Sequence, residues 1–237
     1  KALRRELHKI PELSGQERRT MEVLKTFLRE HTSLSVTDRG GWFYALHQEN
    51  GAEETVVFRA DMDAIKGAGN IPYHGCGHDG HSAILAGLCL LTEGRVFQKN
   101  LCFLFQPAEE TGEGGNPCSR LLEELGADRV YGYHNLPGYP LGTAVMRRET
   151  FSCDTVNTPE ITDMSRMLFE QEGIPCLEAA APFRWSEDFG WYLKKCQGMY
   201  FGIGAGEDCP DLHTPDYEFP DEVIRNAVRC LYLLAEI

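Results

Sequence analysis

Three apolar runs in this chain break off abruptly into acidic or imidazole side chains: ETVVFRADMDA at 54–64, NLCFLFQPAEE at 100–110 and RVYGYHN at 129–135. Between them lie HSAILAGLCLLTEG at 81–94 and CSRLLEELGA at 118–127, whose apolar residues recur at helical spacing. Buried strands alternating with helices predict an α/β fold with a mainly parallel central sheet covered on both faces. In such sheets, ligands bind beyond the carboxyl ends of the strands. Asp61, Asp63, Glu109, Glu110 and His134 all fall at that end of their strands. A random scatter of polar residues seldom does this, so that edge of the sheet is the candidate site.

The flanking text extends the same domain. ERRTMEVLKTFLREH at 17–31 places Met21, Leu24, Phe27 and Leu28 on one helical face, and LSVTD with WFYALHQ around Gly40 and Gly41 reads as a hairpin. GTAVMR at 142–147 reads as a short strand, and Thr158-Pro159-Glu160 opens a helix that Gly173 closes. SEDFGWYLKKC at 186–196 reads as a helix, GMYFGIGAG at 198–206 as a buried strand, and the text from Pro220 as a closing helix. Residues 1–237 are therefore expected to form a single domain.

A formal net charge of −13, with Lys and Arg dispersed, disfavours nucleic acid and anionic lipid as partners and favours small molecules or cationic metals. No apolar run approaches the roughly 20 residues of a membrane span. The nine cysteines follow no framework spacing and no signal-peptide pattern opens the chain, so reduced thiols and a cytoplasmic location are expected.

The densest chemistry lies in YHGCGHDGHSA at 73–83. Side chains two apart in a turning backbone can converge, so Cys76 and His78 can share one ion, with Gly77 permitting the turn. A thiol nucleophile, Cys76 with His78 or His134 as base, is the competing reading, and a buried thiol beside a surface histidine is the plain one. At the end of its strand, the Glu109-Glu110 pair can send one carboxylate to a metal and the other to a water. His134 ends a strand, and His213 precedes the last helix in DLHTPDYEF. Cys76, His78, Glu110, His134 and His213 together make a mixed sulfur, nitrogen and oxygen set suited to zinc or a related divalent ion, enough for a two-metal site with shared positions.

The blocks RRELHKIPELSGQE, FRADMDA, GCGHDGHSA, LFQPAEE, YHN, SEDF and HTPDYEF, in that order, resemble the M20 family of metallo-amidohydrolases and peptidases. The resemblance is to the branch that hydrolyses N-acyl amino acids, hippurate and auxin conjugates. It implies a three-layer α/β/α, zinc-exopeptidase-like (phosphorylase/hydrolase-like) fold and two divalent metal ions per chain, zinc foremost, with manganese, cobalt or nickel as alternatives. It matches Cys76, His78, Glu110, His134 and His213 to the metal ligands, Glu109 to the general base that activates water, and Asp63 to a carboxylate that orients a ligand. It assigns nothing to Asp188, while His74 and His81 are left to shape the loop and the following helix. The implied reaction is hydrolysis of the amide bond of an N-acyl amino acid or small peptide.

One departure is large. Similar proteins insert a lid and dimerisation domain after the strand corresponding to GTAVMR, whereas here FSCDTVNTPE crosses that point directly, so the lid is absent at about 151–158. AIKGAGNIPYHG between Asp63 and Cys76 likewise replaces a longer loop. A metal-binding scaffold without turnover is therefore the second reading, and the thiol hydrolase a third that leaves Glu110 and His213 without a role. The oligomeric state is not inherited, because the usual dimer surface lies on the missing lid.

Overall fold

The structure, a computed structural model, describes residues 1–237. The helices are α1 (Ala2–Leu7), α2 (Arg18–His31), α3 (His78–Thr92), α4 (Gly115–Leu125), α5 (Pro159–Gln171), α6 (Gly190–Leu193) and α7 (Glu222–Glu236). The strands are β1 (Ser35–Asp38), β2 (Phe43–His47), β3 (Thr55–Asp61), β4 (Ile65–Lys66), β5 (Pro72–Tyr73), β6 (Asn100–Gln106), β7 (Arg129–Pro137), β8 (Ala144–Met146), β9 (Thr150–Ser152), β10 (Thr155–Val156), β11 (Cys176–Glu178) and β12 (Gln197–Gly206).

Eight strands form one sheet in the order β1-β2-β6-β3-β7-β12-β8-β11. Its centre, β6 through β12, is parallel, while β1, β2 and the β12–β8 pair are antiparallel. Successive side chains of a strand face opposite ways. On β3 and β6, Val56, Phe58, Leu101, Phe103 and Phe105 therefore join one core with Leu24, Leu28, Leu85, Phe169 and Leu231 from α2, α3, α5 and α7. Their neighbours Val57, Cys102 and Leu104 join a second core with Cys118, Leu121 and Tyr192 from α4 and α6. Helices thus cover both faces, giving three layers. The chain leaves β3 through α3 to β6 on one side and reaches β7 on the other through α4, so the connections diverge at β3. A crevice opens at the carboxyl end of such a switch point.

The expected strands and long helices are present, with informative differences. α3 begins at His78, three residues before the expected start, because Gly77 turns the chain directly into the helix. SEDFGWYLKKC is helical only over Gly190–Leu193, because Asp188 bonds instead to Arg59 and the Gly115 amide and Glu187 to the Tyr200 hydroxyl, on other elements of the fold. β6 stops at Gln106, so Glu109 and Glu110 stand on a turn rather than on opposite faces of a strand. β9 and β10 pair as a small hairpin, and residues 147–158 alone connect β8 to α5. No helix is long and apolar enough to cross a membrane.

Candidate metal centre

Gly77 has φ of 90° at the start of α3. A Cβ there would stand 2.6 Å from both Asn135 Oδ1 and Tyr217 Oη, so the position admits only glycine. The turn brings Cys76 Sγ to 3.4 Å from His134 Nε2. His134 Nδ1 lies 2.8 Å from the Asn135 carbonyl oxygen. A carbonyl only accepts, so Nδ1 carries the proton and the Nε2 lone pair faces the thiol.

His78 is oriented from the other side. Its Nδ1 donates to Asp63 Oδ1 at 3.1 Å, and Asp63 Oδ2 accepts from Ser14 Oγ at 2.7 Å and from the Glu110 amide at 3.0 Å. His78 Nε2 then points to a space bounded by Glu110 Oε1 at 3.7 Å, Glu109 Oε2 at 3.8 Å and Asp61 Oδ2 at 3.9 Å. His213, with φ of 64° and its side chain 52% exposed, brings Nε2 to 3.5 Å from Glu110 Oε1.

All seven residues singled out from the sequence therefore come together. The donor atoms of Cys76, His78 and His134 lie within 4.8 Å of one another, as do those of Cys76, Glu110 and His213, and those of His78, Glu109 and Glu110. His78 Nε2 and Glu110 Oε1 are buried and make no hydrogen bond. Leaving such groups unpaired costs about 1–3 kcal/mol each, and a cation between them removes that cost. Thiolate, imidazole and carboxylate suit a zinc-class ion, so the residues present fit two divalent ions whose donor sets have Cys76 in common.

The charges are tuned by burial and by each other. Burial pushes the Cys76 thiol well up, against the pull of His78; a bound divalent cation reverses that and favours the thiolate. Burial and the neighbouring His81 hold His134 well below the usual imidazole range. Burial alone would lower His78, yet Asp61, Cys76 and Asp63 raise it. Burial and then Glu187 push Glu109 well up. Against burial, His213 and His78 hold Glu110 down. The cavity beside these groups, about 190 Å³, is lined by Cys76, Glu109, Glu110 and His134 together with Trp185, Leu212 and Glu187.

Several residues around the site carried no assignment from the sequence. Arg59, fully buried, bonds Asp61 Oδ2 at 2.7 Å, Asp188 Oδ1 at 2.8 Å and Gln106 Oε1 at 2.8 Å, so Asp188 is a structural strut. Glu187 lies against this network, its carboxyl pushed up to about 7 by burial and by Asp188. Asp61 and Glu187 sit inside FRADMDA and SEDF, which was the available signal; Trp185 had none. His81 lies 2.7 Å from both Asp61 Oδ1 and Asn135 Oδ1, fixing α3 to the sheet edge. His74 is buried beside His8, with ring centroids 5.9 Å apart.

A family profile described as peptidase family M20/M25/M40 matches residues 57–237. An N-acetyldiaminopimelate deacetylase of Priestia megaterium is 32% identical over 169 residues, covering 65% of this chain and 44% of the relative. The enzyme of the same name from Lactobacillus helveticus is 31% identical over 199 residues, covering 76% of this chain and 52% of the relative. The chain thus spans about half the length of these curated relatives. Among solved structures, the Bacillus subtilis YXEP protein, described as a dinuclear metal binding peptidase from the M20 family, superposes with a TM-score of 0.88. It is 18% identical, with 99% of this chain and 96% of that chain covered.

Proposed function

Because the chain belongs to peptidase family M20/M25/M40, we propose that it is a metal-dependent hydrolase cleaving the amide bond of an N-acyl amino acid or small peptide. Cys76, His78, Glu110, His134 and His213 hold two divalent ions, zinc foremost, and Glu109 is the general base. The observation that carries this reading is the pair of buried, unbonded atoms, His78 Nε2 and Glu110 Oε1, facing each other beside Glu109 at the carboxyl ends of the central strands. The relatives named N-acetyldiaminopimelate deacetylase support an N-acyl amino acid, with a compact acyl group, as substrate. Residues 1–237 act as one catalytic domain, and its nine free cysteines suit a reducing compartment such as the cytoplasm.

Divalent ions in this site supply Lewis acidity, lowering the pKa of water and polarising an amide carbonyl. The chain's own groups do the rest. Asp63 fixes the His78 ring through Nδ1, leaving the Nε2 lone pair free. Glu109 takes a proton from the attacking water at its carboxylate and returns it to the departing amine nitrogen; its raised pKa suits both transfers. Trp185 and Leu212 give the acyl group an apolar wall and exclude water from that side.

Elemental analysis after supplementation with Zn, Mn, Co or Ni, joined to a panel of N-acetyl amino acids and dipeptides, tests this reading. At least one equivalent of tightly held metal is expected, with turnover that a chelator abolishes. Metal uptake without turnover on any substrate would favour the scaffold reading, and turnover that survives chelation would favour the Cys76 thiol hydrolase.

A further inference from the structure

The segment ELSGQE before α2 provides no group to the cavity, yet it reaches the site twice. Ser14 Oγ donates to Asp63, and Glu17 Oε1 accepts the Ala108 amide at 2.8 Å, across a separation of 91 residues. Glu17 stands at the N-cap position of α2, where an acceptor side chain ordinarily bonds amides of its own helix. Here it makes no cap bond, although its residue is buried.

Ala108 needs such a partner. Its φ of 52° lies in the left-handed region, which strains a side chain with a Cβ. Its carbonyl accepts from the amides of Glu113 at 3.1 Å and Gly114 at 3.2 Å, so Glu17 on the amide closes the turn from the opposite side. Glu109 and Glu110 follow directly, and Glu110 is tied to Asp63 by its own amide.

We propose that Glu17 is a positioning residue for the Glu109-Glu110 pair: its buried carboxylate holds Ala108 in the left-handed conformation that aims both glutamates into the cavity. This rests on the metallohydrolase reading above. α2 gives up its cap for a bond that serves the site.

Co²⁺ alone is the probe, titrated into the full chain and followed by its thiolate charge-transfer and ligand-field bands, alongside kcat and KM on an N-acetyl amino acid. A wild-type protein that binds less than one equivalent removes the metallohydrolase reading and this inference with it. With a wild type that binds, Glu17→Ala is expected to weaken Co²⁺ binding by about tenfold or more. It should also alter the ligand-field band and lower kcat more than it changes KM. Glu17→Gln retains an acceptor oxygen and should stay within about threefold of wild type. Ala108→Gly in the Glu17→Ala background should recover about half or more of the lost affinity on a logarithmic scale, since glycine adopts this φ unaided. Unchanged Co²⁺ affinity and spectrum in Glu17→Ala, failure of Ala108→Gly to rescue, or a Gln variant as impaired as Ala would each overturn the inference alone. Should Glu17→Ala fail to fold, the double variant decides: near-native Co²⁺ binding supports the inference, while weak binding or failure to fold overturns it.

Discussion

Asp63→Asn isolates the one contact that prepares His78 for a metal. Asp63 is fully buried, with Oδ2 accepting from Ser14 and the Glu110 amide while Oδ1 faces His78 Nδ1. Asparagine keeps the shape but has only one acceptor oxygen. The oxygen is expected to stay with the two donors at the Oδ2 position, which turns the amide NH2 toward His78 Nδ1. Relieving that clash requires the proton to move to Nε2, the nitrogen that faces Cys76, Glu109 and Glu110, and so to occupy the lone pair a metal needs. The loss is that of one hydrogen bond to a charged group, about 1.5–3 kcal/mol, and each 1.4 kcal/mol is tenfold in an equilibrium constant. Metal affinity should therefore fall about 10- to 100-fold, in the range found for residues that support ligands from behind. Competition for Zn²⁺ against a chromophoric chelator at neutral pH measures it, with the urea midpoint as a check on folding. An affinity within about threefold of wild type in a normally folded variant would refute the orienting role of Asp63.

Three further perturbations probe other layers of the same structure. Glu109→Gln should leave metal content unchanged and lower kcat by about 10²–10⁴-fold; equal turnover in a stopped assay would remove Glu109 as the base. Arg59→Met removes the buried cation that pairs with both Asp61 and Asp188, so urea unfolding should report a loss of about 3–5 kcal/mol, and a loss below about 1 kcal/mol would contradict the strut. His8 is raised above its ordinary value of about 6.5 by its hydrogen bond to Asp79, with Glu218 adding to and Arg4 opposing the shift. Its stabilising contribution is complete below that ordinary value and is lost as pH rises through the higher folded value. His8→Gln should consequently flatten the decline of the urea midpoint as pH rises above about 6.5, and parallel declines in the two proteins would rule the pairing out.

The sheet was readable because its burial is two-sided. Val56 to Ala60 and Leu101 to Phe105 are apolar at every position but Arg59, and that continuity is what a central parallel strand requires. α2 and α7 were readable for the opposite reason: each buries one face only, so apolar spacing marked it. α1 was not, since six residues are too few to show a period, and its buried Arg4 is held by Asp221 and Glu218 from the far end of the chain. The expected helix over SEDFGWYLKKC is cut short because the tertiary bonds of Glu187 to Tyr200 and of Asp188 to Arg59 and Gly115 outweigh local propensity.

The candidate ligands and their supports differ in legibility for a physical reason. A metal selects donor types, so Cys76, His78, Glu110, His134 and His213 are marked by their chemistry, although His134, expected to end its strand, lies within β7 and His78 opens α3. The supports answer to partners that carry no mark. The Ala108 amide is the same group every non-proline residue has, and nothing in Gln-Pro-Ala-Glu announces that its alanine turns left-handed. The acceptor at position 17 gains meaning only when that backbone is known, and before then it reads as an ordinary acid at a helix start. Arg59 is the converse case. An arginine in the middle of an apolar strand could be heard as out of place, but its counterions Asp61 and Asp188 lie 2 and 129 residues away, and only the closed sheet edge brings the second beneath it. What holds the site in shape is therefore written in residue pairs whose members are individually unremarkable.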